Sequence, residues 1–98
     1  MDTRRAMIVH EKDNVATALS DLVVGDRVTL MGPGKSGVIT ADQTIPFGHK
    51  IAPLAIEKGE SIIKYGEIIG RATQKIILGK HVHVHNVESL RGRGDITK

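Results

Sequence analysis

The chain has 98 residues with no cysteine and a formal net charge of +3, which allows one small domain and excludes disulfides and thiolate metal sites. The apolar segment at residues 6–9 is too short for a signal peptide or a membrane span, so we expect a cytoplasmic protein with no membrane partner. Basic and acidic residues are interspersed, and the chain has one Phe and one Tyr, so nucleic acid is not a predicted partner, whereas an anionic substrate or an acidic partner subunit suits the positive charge.

The first predicted elements are a strand and a short helix. Twelve Ile and nine Val favour a mainly β domain, because β-branched side chains fit a pleated surface, and the first strand is predicted at Ala6–His10. Asp13 has the character of a helix N-cap, since its carboxylate can accept the free amide protons of a first turn. Apolar residues recur at helical spacing from Val15 to Leu22, so we predict one short helix over Asn14–Ser20.

Strand patterns dominate the rest of the chain. Residues 32–37 carry three glycines and a proline and predict the turn of a hairpin, and Lys64-Tyr65-Gly66 predicts a tight turn between two apolar runs. The tail at residues 91–98 has two glycines and little apolar content, so we predict a mobile end after a domain that covers residues 1–90. The strands predicted after the helix are Arg27–Met31, Gly37–Ala41, His49–Ala52, Ser61–Lys64, Glu67–Ala72 and His81–Val87.

Three segments share one spacing, in which an aliphatic residue precedes a glycine by three positions and a second aliphatic residue follows it by three. The first aliphatic residue would anchor a turn, the glycine would take a positive φ that reverses the chain, and the second would start the outgoing strand. Their unequal intervals exclude a solenoid and predict one compact β domain with similar corners. The three corners are Leu22-x-x-Gly25-x-x-Val28, Ile56-x-x-Gly59-x-x-Ile62 and Ile76-x-x-Gly79-x-x-Val82.

The segment with the strongest indication of chemistry is His81-Val82-His83-Val84-His85. In an extended strand this alternation places the three imidazoles on one face. His83 and His85 would form half of a metal site, because two such imidazoles can converge on one ion. The alternative is a polar face on an exposed edge strand that binds nothing. The candidates for a third ligand are His49, His10, Glu88 or a residue of another chain.

Two further segments carry candidate site residues. Gly48 lets the backbone approach a ligand, His49 can transfer a proton near neutral pH, and Lys50 can bind a carboxylate. Lys64 and Tyr65 place a cation and a phenol beside a turn. Both segments also fit solvated loops without a ligand. The chain has no cysteine nucleophile, no nucleophile-elbow serine and no P-loop spacing, so no self-contained active site of these classes is predicted.

Taken in order, these motifs resemble the SAF domain of the altronate and galactarate dehydratase family. The resemblance implies a β-clip fold, which is a mainly β domain of short strands and long twisted hairpins. Such a domain occurs at the N-terminus of sugar-acid dehydratases and as a separate small subunit, including in sulfolactate sulfo-lyase. The resemblance runs from about Met7 to Leu90 and depends mainly on Gly48-His49-Lys50, Ile63-Lys64-Tyr65-Gly66 and Gly79-Lys80-His81-Val82-His83-Val84-His85-Asn86.

The function that this resemblance implies is that of a small or accessory subunit of a sugar-acid dehydratase-type lyase. Together with a separate large catalytic subunit, it would catalyse β-elimination of water from a 2,3-hydroxylated acid, and it is not expected to be active alone. The implied cofactor is a divalent metal, Fe²⁺ or Mn²⁺, held mainly by the partner subunit. The alternatives are a sulfolactate sulfo-lyase small subunit, from which sulfite leaves, and a non-catalytic module that binds anions or carbohydrates.

The resemblance also assigns roles to residues that match the motifs. Short exposed β edges are compatible with a homo-oligomer, but the sequence does not determine the oligomeric state. The expected catalytic residues are His49, Lys50, His83 and His85; the expected substrate-binding residues are Lys50, Lys64, Tyr65 and Asn86; and the expected metal ligands are His83 and His85.

Overall fold

The computed structural model describes residues 4–89, which form two sheets and contain no helix. The strands are β1 (Arg4–Met7), β2 (Ala16–Ala18), β3 (Arg27–Met31), β4 (Gly37–Thr40), β5 (Lys50–Ile51), β6 (Ser61–Lys64), β7 (Glu67–Ala72), β8 (His81–Val82) and β9 (Val87–Ser89). One sheet has the order β4-β3-β1-β2-β5-β8 and the other has the order β6-β7-β9. The mainly β prediction and the β3–β4 hairpin are confirmed. The predicted mobile tail lies outside the described residues.

The predicted helix at residues 14–20 is wrong, because residues 16–18 form β2 between β1 and β5. Ala16 and Ala18 are buried and the residue between them is half-buried, which is the alternation of a strand. Asp13 does accept backbone amide protons, but one comes from Gly66, far along the chain, at 2.8 Å. So short a helix has little stability by itself, and pairing with strands on both sides satisfies the same backbone groups.

The predicted strand at residues 81–87 is also wrong in its middle. It ends after Val82 and a new strand begins at Val87. Residues 83–86 form a turn, in which the Asn86 N–H donates to the His83 carbonyl at 3.0 Å and the Asn86 side chain accepts the His83 N–H at 2.9 Å. Because the segment turns, the three histidines do not share one strand face.

The three predicted corners are present, and a fourth has the same spacing in Ile45-x-x-Gly48-x-x-Ile51. The four corner glycines have φ between 86° and 94°, which a residue with a Cβ rarely adopts. A buried alanine lies four positions before each corner's first aliphatic residue. The full set is Ala18, Leu22, Gly25 and Val28; Ala41, Ile45, Gly48 and Ile51; Ala52, Ile56, Gly59 and Ile62; and Ala72, Ile76, Gly79 and Val82.

The same backbone hydrogen bonds join the corners in pairs. Leu22 exchanges two N–H···O=C bonds with Ile45, and Ile56 does so with Ile76. The chain therefore contains two similar halves, residues 18–51 and 52–82, each with two interlocked corners and a hairpin between them. Each corner glycine N–H donates to the carbonyl of the alanine from the paired corner: Gly25 to Ala41, Gly48 to Ala18, Gly59 to Ala72 and Gly79 to Ala52.

Each half has its own apolar core. The first half, with Ala6 and Ile8 of the N-terminal segment, buries one cluster, and the second half, with Val15, buries another. The halves meet where β5 pairs with β8, with Lys50 opposite Val82 and Ile51 opposite His81. This contact brings the residues that follow Gly48 next to the residues that follow Gly79.

Candidate functional site

Three histidine side chains lie together where the two halves meet. His49 follows a corner glycine of the first half, His81 begins β8, and His83 lies in the turn after it. His49 Nδ1 is 2.9 Å from His81 Nε2, and one ring nitrogen from each of the three residues lies within 4.8 Å of the others. The ring centroids of His49 and His83 are 4.3 Å apart. We call His49, His81 and His83 the histidine cluster.

Backbone contacts fix the positions of the cluster residues. His49 is held in a corner turn, in which its N–H donates to the Pro46 carbonyl at 3.0 Å. The His81 N–H donates to Gln43 Oε1 and the His83 N–H donates to Asn86 Oδ1, both at 2.9 Å. Since hydrogen bonds hold all three backbones, the rings are already close together without a ligand.

The cluster is electrostatically suited to neutral imidazoles. Burial, followed by the neighbouring histidines and Lys50, lowers the pKa of His81 from 6.5 to about 4. Burial and then His49 also lower the pKa of His83. Burial disfavours the charged form of an imidazole, and nearby positive charge does the same. His81 and His83 are therefore neutral at neutral pH, and a neutral imidazole has a lone pair that can accept a proton or bind a metal ion.

His85 and Asn86 lie at the edge of this arrangement. The exposed ring of His85 has its centroid 5.2 Å from that of His81, but His85 is not in the group whose ring nitrogens converge. Asn86 is 5% exposed, and its Nδ2 donates to the His81 carbonyl at 2.8 Å. The observed contacts of Asn86 hold the histidine turn, and its role in substrate binding stays a prediction.

An open groove of about 490 Å³ adjoins the cluster and shares His83 with it. Lys50 and Lys64 lie in its wall, and burial, followed by the charge of Lys64, lowers the pKa of Lys50. An anion bound beside the two ammonium groups would relieve this repulsion. The other residues that line the groove are Ile62, Tyr65, Ile69, Val82, Val84, Val87 and Ser89.

Tyr65 lies at the rim of the groove, in the tight turn between β6 and β7. Tyr65 has a φ of 58° and Gly66 a φ of 76°, as the favoured two-residue hairpin turns require, so the predicted turn is confirmed. Lys64 Nζ lies 4.1 Å from the centroid of the Tyr65 ring and donates to Thr17 Oγ1 at 3.0 Å. These contacts place the ammonium group of Lys64 over the phenol ring.

The sequence patterns predicted that His49 and His83 lie close together, but they did not include His81 in the site. The missed signal is the fourth corner. Once Gly48 and Gly79 are recognised as equivalent, Gly48-His49-Lys50 and Gly79-Lys80-His81 occupy corresponding positions in the two halves. Corresponding corners that meet through β5 and β8 would have predicted that His49 and His81 lie close together.

The histidine cluster can support two kinds of chemistry. Imidazoles beside a groove that contains two lysines can transfer protons to or from a bound acid. Three imidazole nitrogens are also suitable ligands for first-row divalent metals such as Zn²⁺ and Fe²⁺. The donor set therefore fits a divalent metal ion, with the groove beside it for an anionic ligand.

Comparison with known proteins identifies relatives of most of this chain. The family model of the altronate/galactarate dehydratase SAF domain matches residues 4–90. Altronate dehydratase of Bacillus subtilis (strain 168) is 42% identical over 81 residues, which are 83% of this chain and 16% of that protein. Galactarate dehydratase (L-threo-forming) of Escherichia coli (strain K12) is 36% identical over 74 residues, which are 76% of this chain and 13% of that protein. The chain thus spans a small part of these dehydratases.

A shorter relative is matched over almost its whole length. The (2R)-sulfolactate sulfo-lyase subunit alpha of Chromohalobacter salexigens is 34% identical over 88 residues, which are 86% of this chain and 94% of that protein. As for membrane association, residues 4–89 include no helix of the length and apolar character needed to cross a bilayer.

Proposed function

This chain belongs to the altronate/galactarate dehydratase SAF domain family, and from that premise we propose that it serves as the small or accessory subunit of a sugar-acid dehydratase-type lyase. A separate large subunit completes the active site, and the reaction is β-elimination of water from a 2,3-hydroxylated acid in the cytoplasm. The observation that carries the proposal is the open histidine cluster beside a groove with two lysines. Such a surface supplies one wall of a site and leaves the opposite wall to a partner.

The sizes of the relatives support a two-part enzyme. In the altronate dehydratase of Bacillus subtilis, the matching segment is 16% of the protein, so most of that enzyme lies outside it. In the sulfo-lyase relative, the matching segment is 94% of a polypeptide named as subunit alpha. The same domain therefore occurs both within a longer enzyme and as most of a separate subunit, which supports a two-part enzyme here.

Residues of the groove and the cluster divide the work of elimination. Lys50 and Lys64 bind the substrate carboxylate and orient the acid towards His83, which borders both regions. An imidazole at the mouth of the site, among His49, His83 and His85, accepts the proton from C2. The C3 hydroxyl takes up a proton and leaves as water, and the remaining enol becomes a 2-keto acid. A bound Fe²⁺ or Mn²⁺, held mainly by the partner, would stabilise the negative charge that develops.

Sulfolactate cleavage is the second candidate, and the match over 94% of a sulfo-lyase subunit favours it. The proton would be removed in the same way, and sulfite would leave in place of water. A sulfonate and a carboxylate on one substrate carry two negative charges, which two neighbouring lysines can attract.

The test combines this chain with the large dehydratase subunit that co-purifies with it, in the presence of Fe²⁺ or Mn²⁺. Release of 2-keto acid from altronate and galactarate, and of sulfite from sulfolactate, is then measured. We expect turnover that requires both polypeptides. Lys50→Ala should raise KM at least about tenfold by removing a carboxylate partner, and the double change His83→Ala and His85→Ala should lower kcat about 100-fold or more.

Two control variants separate effects on the candidate site from general effects of removing a lysine or a histidine. Lys58→Ala removes an exposed lysine from the tip of another corner, and His10→Ala removes a histidine outside the cluster. Both should retain wild-type turnover. Equal turnover with this chain omitted would reject the subunit proposal. Binding of sugar acids without product release from any of the three substrates would instead favour a non-catalytic binding module.

A further inference from the structure

We propose that this chain by itself binds one divalent transition-metal ion through His49, His81 and His83. The expected metal ligands were His83 and His85, with most of the site in a partner. The new assignment adds His49 and His81, removes His85, and needs no partner for the ion to bind. It also does not depend on which reaction the complete enzyme catalyses.

The spacing of the ring nitrogens carries the proposal. Imidazole nitrogens bind such metals at about 2.1 Å, so two neighbouring ligands are about 3.0 Å apart around a six-coordinate ion and about 3.4 Å apart around a tetrahedral one. His49 Nδ1 and His81 Nε2 are joined by a hydrogen bond at 2.9 Å. This separation is close to the six-coordinate value, so an ion bound to both nitrogens would replace the proton that the two rings share. The third nitrogen, from His83, lies within 4.8 Å of both, so its side chain would have to rotate to complete the site.

Backbone contacts already hold the segments that carry the three histidines. His49 and His81 come from corresponding corners of the two halves, which β5 and β8 join. His83 comes from a turn that the buried side chain of Asn86 holds at both ends, at the His83 N–H and at the His81 carbonyl. A metal site built on such fixed segments loses little conformational freedom when the ion binds.

The surroundings of the cluster define what else the ion would bind. Three imidazoles would leave three positions of a six-coordinate ion open, and one of the three ligands, His83, also lines the groove that contains Lys50 and Lys64. A 2-hydroxy acid can occupy two open positions with a carboxylate oxygen and its hydroxyl, while the lysines bind a further anionic group. His85 lies outside the ligand set, so in the metal-bound form the proton transfer proposed above for His49, His83 or His85 would fall to His85.

Direct metal binding by the full chain tests this assignment. The protein is purified without a histidine tag, treated with a chelator, and titrated with Zn²⁺ and Co²⁺ by calorimetry. We expect one ion per chain with a Kd in the range of about 1–10 μM. His49→Ala, His81→Ala and His83→Ala should each weaken binding at least about tenfold, because each removes one bond to the ion. His10→Ala and His85→Ala are the matched controls and should stay within about threefold of the wild type.

A second measurement needs no substitution and therefore survives a variant that does not fold. Nuclear magnetic resonance of the histidine ring nitrogens during Zn²⁺ titration should show large shifts for His49, His81 and His83, and small ones for His10. Absence of stoichiometric binding at millimolar ion would overturn the proposal. Large shifts at His10 or His85 in place of the cluster residues would overturn it as well.

Discussion

The two halves of the chain share one backbone plan and differ in the residues outside it. In both halves, a buried alanine, an aliphatic anchor and a glycine with positive φ make the same hydrogen bonds. The corners that meet at the site carry the same two residue types in opposite order, as Gly48-His49-Lys50 and Gly79-Lys80-His81. Lys80 Nζ is paired with Asp42 at 2.8 Å, whereas Lys50 is repelled by Lys64.

This difference separates the residues that fix the frame from those that supply chemistry. The repeated alanine and aliphatic positions are buried and the repeated glycines have positive φ, so together they determine where the chain turns. The two positions that follow a corner glycine carry His49 and Lys50 in one half and Lys80 and His81 in the other. The same backbone arrangement therefore carries a histidine one residue after Gly48 and two residues after Gly79. The pairing of β5 with β8 brings these two histidines together.

The largest loss of stability is expected from substituting corner glycines, and its size should depend on what surrounds each glycine. A Cβ on Gly79 would lie 2.3 Å from the Thr40 carbonyl oxygen, whereas a Cβ on Gly25 would meet nothing within 4 Å. Both glycines have positive φ. Gly25→Ala should lower the free energy of unfolding by about 1–2 kcal/mol through backbone strain alone, and Gly79→Ala by about 3 kcal/mol or more because the frame must also shift.

Urea unfolding of the two glycine variants would measure this difference. Equal losses of stability would show that the crowded backbone around Gly79 yields easily, and that the two corners are more alike than their contacts indicate.

An intermediate loss of stability is expected from changing Asp13, which lies before the first half and accepts a hydrogen bond from Gly66 of the second half. Asp13 is 1% exposed and accepts the N–H groups of Gly66 at 2.8 Å and His10 at 3.1 Å. Asp13→Ala should lower the free energy of unfolding by about 2–3 kcal/mol, because buried amides lose a charged acceptor. Asp21→Ala removes one hydrogen bond to Phe47 at an exposed site and should cost about 1 kcal/mol or less.

The Asp13 carboxylate also makes the free energy of unfolding depend on pH. Burial alone would raise the pKa of Asp13, but hydrogen bonds from backbone amides, with that of Gly66 foremost, hold the pKa below its ordinary value of 3.8. The unfolded chain then binds the proton more tightly, so Asp13 contributes stability above pH 3.8 that is lost as the pH falls towards its folded pKa. Unfolding free energies measured between pH 6 and pH 3 should fall less steeply in Asp13→Asn than in the wild type.

The smallest change in stability is expected from substituting Lys50 or Lys80, the lysines that follow the two corner glycines at the site. Lys80→Met removes a partly exposed ion pair and should destabilise the protein by about 0.5 kcal/mol. Lys50→Met removes a partly desolvated charge near Lys64, so it should leave the melting temperature unchanged or raise it slightly. A larger loss of thermal stability in Lys50→Met than in Lys80→Met would contradict this view of the two corners.

Local patterns in the sequence predicted much of the fold. The strands at residues 27–31, 61–64 and 67–72 have the predicted bounds, because their alternation and flanking turns leave few alternatives. The SAF family resemblance is confirmed by the match to residues 4–90. The helix prediction was wrong because Val15, Ala16 and Ala18 fit helical spacing as well as a short strand, and pairing with distant strands decided between them.

The site was predicted in part. His49 and His83 were expected to lie together and do so, but the strand expected to align His83 with His85 breaks at a turn. That break depends on the buried side chain of Asn86, which bonds to two backbone groups. Local alternation cannot reveal such a contact, because an asparagine in the sequence fits a loop, a cap or an exposed strand end equally well.

The conformation of Tyr65 has a consequence for the groove beside it. Its φ of 58° is one that glycine or asparagine adopts with less strain, so the turn alone would be formed more easily by either of those residues. Tyr65 is 61% exposed and contributes little to either core. What the strained position provides is a phenol surface held at the rim of the groove.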